Sequence, residues 1–212
     1  MHYLTEHPDE VLQLTQEHLR MVAISTVVAI LIGVPIGILV TRLRWLQAPL
    51  INTVSVLYTV PSLALFAILI PYTGLGARTA IIALVLYSLL AIVRNTVAGI
   101  DAVLPATLDA ARGMGMTPTQ RLLMVELPLA LPVILVGVRV ATVAAIGIAT
   151  IAALIGAGGL GRLIFDGIRT LDGDRVVAGA IVASALALIA DWGLSRLGDA
   201  LRRDVGPAGG RG

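Results

Sequence analysis

Apolar residues run along this chain in five long blocks, and the polar residues fall almost entirely between them. The blocks cover residues 19–41, 49–70, 77–97, 133–155 and 176–197. Each is about the twenty residues that a helix needs to cross a hydrocarbon core ~30 Å thick. Backbone in lipid must satisfy its own hydrogen bonds, so blocks of this length predict helices. The pattern predicts an all-α integral membrane protein with five transmembrane helices. A lead-in over 1–18 precedes the membrane domain at 19–199, and a basic tail over 200–212 follows it.

Breaks inside the blocks add detail. Gly33-Val-Pro-Ile-Gly37 has the small-residue spacing that lets a neighbouring helix approach, here within the chain. Val60-Pro61-Ser62 interrupts the second block, because proline removes a backbone donor. In the lead-in, Pro8 with Asp9 and Glu10 suits the first turn of a short helix. Val11, Leu12, Leu14 and Leu19 would give that helix an apolar stripe on the membrane surface. His2, His7 and His18 all precede the first block and read as histidines of a flexible terminus, with no metal site.

The longest stretch unlike a membrane span is Pro105–Pro132. Pro105 suits a helix start, and Gly113 and Gly115 suit its stop. Thr117-Pro118-Thr119-Gln120 has the spacing of a capping box, starting a second short helix. Pro128 and Pro132 are expected to redirect the chain into the fourth span. The stretch therefore reads as a helix-turn-helix between spans three and four.

Composition sharpens the class. The chain is 58% hydrophobic and 13% charged, with mean hydropathy +0.96, well beyond a soluble domain. A net charge of +2, spread over many loops, gives no nucleic-acid footprint. Nine arginines (42, 44, 94, 112, 121, 196, 202, 203, 211) fall on one side of a five-span layout, against Arg78, Arg162, Arg169 and Arg175 on the other. Basic residues favour the cytoplasm, so the N-terminus is expected outside, and the C-terminus and 105–132 inside.

All basic residues are arginine. Without a lysine, no phosphate-binding P-loop can be assembled, and without cysteine there is no disulfide or thiolate metal site. Gly156, Gly158, Gly159 and Gly161 follow a membrane helix rather than a strand, so they are not a nucleotide loop but a tight external turn. Arg139 and Asp191 are the charges best placed to lie inside the membrane. They are expected to pair near an inner gate, since such charges are costly unless paired. Tyr58, Pro61, Tyr87, Gly147 and Thr150 are candidate pathway-lining residues. So few aromatics lie within spans that a full aromatic cage is not expected.

Asp109-Ala110-Ala111, three residues, Gly115, nine residues, Val125, one residue, then Leu127-Pro128 resembles the Glu-Ala-Ala loop of ABC importer permeases at every interval. Asp stands for Glu, with shorter reach, and Val for Ile. The runs Ala110–Thr117, Val125–Pro132 and Ala153–Gly161 are similar to the glycine betaine and osmoprotectant branch, over about residues 18–203. The methionine importer permeases share the five-span plan and remain a neighbouring reading. A secondary transporter is disfavoured by the lack of an inverted repeat.

The resemblance implies a type I ABC importer transmembrane fold in a bacterial cell membrane. It implies a coupling loop made of Asp109, Ala110, Ala111, Gly113, Gly115, Thr117, Val125, Leu127 and Pro128. It further implies separate ATPase subunits carrying ATP and magnesium, a second permease subunit, and an extracytoplasmic binding protein docking at the glycine turn. This chain would itself bind no cofactor. Expected solutes are glycine betaine, choline, carnitine or proline.

Overall fold

In the computed structural model, which describes residues 2–205, every regular element is helical among the described residues. The tail expected at 200–212 lies outside the described residues from 206 onward. A short helix α1 (His2–Glu6) leads into α2 (Pro8–Arg42), a single helix of 35 residues. The lead-in is thus not a separate surface helix. Pro8 sits in the first turn with Asp9 and Glu10 against the positive end of the dipole, and Pro35 is absorbed without a break. Tertiary burial explains the extension. Leu14 is buried in a cluster with Leu160, Leu163 and Ala183, while Leu12 and Leu19 are exposed, so the anticipated stripe is split between two environments.

The centre of the bundle is α5 (Ala77–Asp101), the most enclosed of the long apolar helices. Glycines set its approach to α2. A Cβ at Gly33 would lie 2.9 Å from the Ile92 side chain, and one at Gly37 only 2.6 Å from Thr96 Cβ. In lipid there is little hydrophobic gain in helix pairing, so this close contact supplies the dispersion energy that holds the two together. The other flank of α5 packs on α8 (Leu127–Ile151), and α10 (Gly173–Val205) lies outside α8.

The second apolar block does not form a straight crossing. It divides into α3 (Arg44–Thr59) and α4 (Ser62–Thr73), bent by 99°. Val60 is extended because a residue before proline is driven from the helical region. The Tyr87 hydroxyl donates to the freed Val60 carbonyl at 2.5 Å. Among the described residues, four helices are therefore long and apolar enough to cross a membrane, or five if the bent pair makes one crossing.

The helices α6 (Pro105–Gly113) and α7 (Pro118–Arg121) fill the gap between α5 and α8. Here too the expected layout changes. A π turn over Leu122–Glu126 joins α7 directly to α8, so the helix begun at Pro118 runs on to Ile155. Leu127 N–H reaches back to the Leu122 carbonyl, a wider spacing than an α-helix uses. Pro128 follows the wide turn at once, and Pro132 is carried inside the helix. Neither proline redirects the chain. A 3₁₀ turn (Ala152–Ile155) ends this long helix, and α9 (Gly161–Thr170) lies before α10.

Candidate functional site: the loop between α5 and α8

Pro105 fixes the first turn of α6, and the helix ends where glycine permits it. Gly115 has φ +77°, the left-handed conformation that a Cβ resists. Its N–H donates to the Arg112 carbonyl at 2.9 Å, and Met116 N–H donates to Ala111 at 3.2 Å, which together make a Schellman ending. Among the described residues nothing approaches a Cβ placed on Gly113 or Gly115, so Gly115 is suited by conformation rather than by crowding. Ala111 is buried beneath the helix, while Asp109 and Ala110 face outward. Asp109 accepts a hydrogen bond from Arg112 of the same helix at 2.8 Å, and both side chains stay exposed.

The second turn starts on the anticipated cap. Gln120 N–H donates to Thr117 Oγ1 at 3.3 Å, and Thr117 N–H donates to Gln120 Oε1 at 2.9 Å. Beyond it, Val125, Leu127 and Pro128 are half-buried. Between Val125 and Leu127 lies a residue that sequence reasoning passed over. Glu126 is only 1% exposed, and its two oxygens receive Arg42 at 2.5 Å and Arg121 at 3.0 Å. A lone carboxylate at the edge of an apolar run was the available signal, because such charges are retained only with partners. Arg44 adds a looser pairing with Asp101 at 3.8 Å.

Arg139 and Asp191 meet in two parallel hydrogen bonds, Nε to Oδ1 at 2.5 Å and Nη2 to Oδ2 at 2.7 Å. This fork joins α8 to α10 in the planar geometry that suits guanidinium and carboxylate. The remaining candidates do not form one lining. Tyr87 is buried and spends its hydroxyl on the α3–α4 break, with the exposed Tyr58 set edge-on at 5.9 Å between ring centroids. Pro61 is exposed at that break. Gly147 is exposed on α8, and Thr150 Oγ1 donates to its carbonyl at 2.7 Å.

At the opposite end of the bundle, the glycine run folds inward rather than forming a free turn. Gly159 and Gly161 are buried, Gly158 is half-buried and Gly156 is exposed. A Cβ on Gly161 would collide with the Thr150 carbonyl oxygen at 1.8 Å. Gly159 N–H donates to Glu17 Oε2 at 3.0 Å. His18 is not a flexible-terminus residue but fully buried, its Nε2 donating to the Ile146 carbonyl at 3.1 Å. That bond places a proton on Nε2, and Nδ1 has no hydrogen-bond partner among the described residues. Its burial depends on a residue 128 positions away, so no local signal announces it.

Residues 29–203 match the family of binding-protein-dependent transport system inner membrane components. The chain is 46% identical over 202 residues to the osmoprotectant import permease protein OsmW of Salmonella typhimurium, covering 93% of this chain and 94% of that one. It is 39% identical over 207 residues to the choline transport system permease protein OpuBB of Bacillus subtilis, covering 98% and 94%. Among solved structures, a chain of the MetNI methionine ABC transporter in an inward-facing conformation superimposes with a TM-score of 0.81. That match has 23% identity and covers 91% of this chain and 96% of that one.

Proposed function

The chain belongs to the family of binding-protein-dependent transport system inner membrane components, and we propose that it imports a quaternary-ammonium compatible solute. It is a multi-pass inner-membrane permease subunit with the type I ABC importer fold. Glycine betaine, choline and carnitine are the solutes named for its relatives, and they are the ones we assign to it. In this reading α6 is the coupling helix, presented to an ATPase carried on a separate chain. ATP and magnesium bind there, and closure of two ATPases rocks two permease subunits between inward- and outward-facing states. The loop end faces the cytoplasm, and the α3–α4 pair counts as one broken crossing.

The observation that carries the reading is the placing of α6. Its outer face, Asp109 and Ala110, is left exposed by the described residues, while Ala111 and the two caps hold the helix in place. Small residues on that face let a partner's groove close around the backbone. Arg139–Asp191 would serve as an inner gate, since it ties α8 to α10 with a pair that can open without leaving the helices. A binding protein docking at the glycine end would touch Gly156 and the rim beside it, because Gly159 and Gly161 are inaccessible.

The experiment is solute uptake into proteoliposomes holding the permease, its ATPase and its binding protein. Labelled glycine betaine, choline and carnitine should accumulate only with ATP. Replacing Ala110 by Trp should abolish uptake and release the ATPase from the purified complex. Uptake that continues without an ATPase would overturn the reading.

A further inference from the structure

Glu126 is the one carboxylate buried among the described residues, and the coupling motif itself does not use it. A carboxylate leaves water only where partners replace the lost hydration. Its partners come from two separate elements. Arg121 ends α7, within the loop, and donates through Nε to Oε1; Arg42 ends α2, 84 positions away in the sequence, and donates through Nη2 to Oε2. Close by, the seam between α2 and α8 is an open apolar groove of ≈ 450 Å³ walled by Ile30, Val34, Leu127, Pro128 and Ile134. An apolar groove lets helices slide, whereas a bidentate acceptor between two guanidinium groups fixes direction as well as distance.

The position in the backbone adds a second reason. Glu126 closes the π turn, the only place among the described residues where the long helix departs from α geometry near the loop. Such turns are rare and are found frequently at functional sites. Here the wide turn carries Glu126 to the point where α2 ends and the loop begins.

We propose that Glu126 is a positioning residue that transmits movement of the coupling loop to the first span, an inference that rests on the importer reading above. A displacement of α6 moves α7, against which it packs. Arg121 passes the displacement to Glu126, and the Glu126–Arg42 pair draws the end of α2 with it. The span then moves as a unit with α5, to which Gly33 and Gly37 lock it. A plain anchor would only keep the loop folded, whereas a joint also sets how much solute moves for each ATP.

The test uses the complete transporter in proteoliposomes, with ATP hydrolysis and solute uptake measured on the same vesicles. Glu126→Gln and Arg42→Gln should assemble, keep most of their ATP hydrolysis, and lose solute moved per ATP by on the order of tenfold. Inverting all three charges, with Arg42→Glu, Arg121→Glu and Glu126→Arg together, should recover most of that ratio. An unchanged ratio in both single variants, or equal loss of hydrolysis and uptake, overturns the joint. If Glu126→Gln fails to assemble, Arg42→Gln decides alone, since it leaves the Arg121–Glu126 pair intact and its own side chain is 41% exposed. Failure of the unaltered complex to take up solute with ATP overturns the importer reading instead.

Discussion

The two ends of the bundle are both polar, yet they are built on opposite plans. At the end near Pro8, charged and small residues are committed to one another. Arg175 pairs with Glu10 at 2.9 Å and lies over the Tyr3 ring, Tyr3 donates to Glu10, and Glu17 holds the Gly159 backbone. At the loop end, the outer face of α6 is exposed, and among the described residues Asp109 bonds only within its own helix. One end is a closed knot that fixes α2 against α9 and α10. The other is a protruding helix held from beneath by Ala111, two caps and the Glu126 pairs. The contrast teaches that glycine serves different physics at each end: Gly161 avoids a collision, whereas Gly115 supplies a backbone conformation.

Substitutions at each end put this contrast to the test. The largest effect is expected for Gly161→Val, where backbone must move to admit any side chain. A loss of about 3 kcal/mol or more should appear as aggregation or a collapsed unfolding midpoint in detergent. Glu126→Ala comes next, since it leaves Arg121 enclosed without its anion. About 3 kcal/mol is expected from the thermal midpoint. Gly115→Ala has open space and only the left-handed backbone against it, so about 1 kcal/mol should be lost. Equal costs at Gly161 and Gly115 would erase the distinction between the two glycines.

Leu171 is a non-glycine residue at φ 56° and is 94% exposed, so Leu171→Gly should raise the midpoint slightly, by under ~1 kcal/mol of stability. The smallest effect belongs to Asp109→Ala, within about 0.5 kcal/mol of the unaltered protein because its ion pair is exposed. Uptake should nevertheless fall in that variant if the open face of α6 is where force enters. A stability loss comparable to that of Glu126→Ala would show instead that the loop end is knotted like the other.

Signals that act within a turn or two of the chain were legible without coordinates. The apolar blocks marked the helices, Thr117 and Gln120 marked a cap, and Gly115 marked a helix end, since each depends on neighbours three or four residues away. Arg139 and Asp191 stood out because charges are rare within such blocks. Local reading misjudged the prolines in both directions. Pro128, just past the π turn, and Pro132, inside α8, left the helix running, whereas Pro61 with its extended neighbour turned the break in the second block into a 99° bend.

By itself, then, the amino-acid order determined a lysine-free bundle of apolar helices with one capped polar loop and the spacing of an importer permease. Tertiary structure alone decided that His18 and Glu126 are buried, that residues 8–18 extend the first span, and that the glycine run turns inward. The reason lies in the solvent. In water, apolar character tells inside from outside; in lipid, protein-facing and lipid-facing surfaces are equally apolar. Which face of each span meets which neighbour is then settled by close packing and polar pairing between distant residues, and neither is written in any single stretch of the chain.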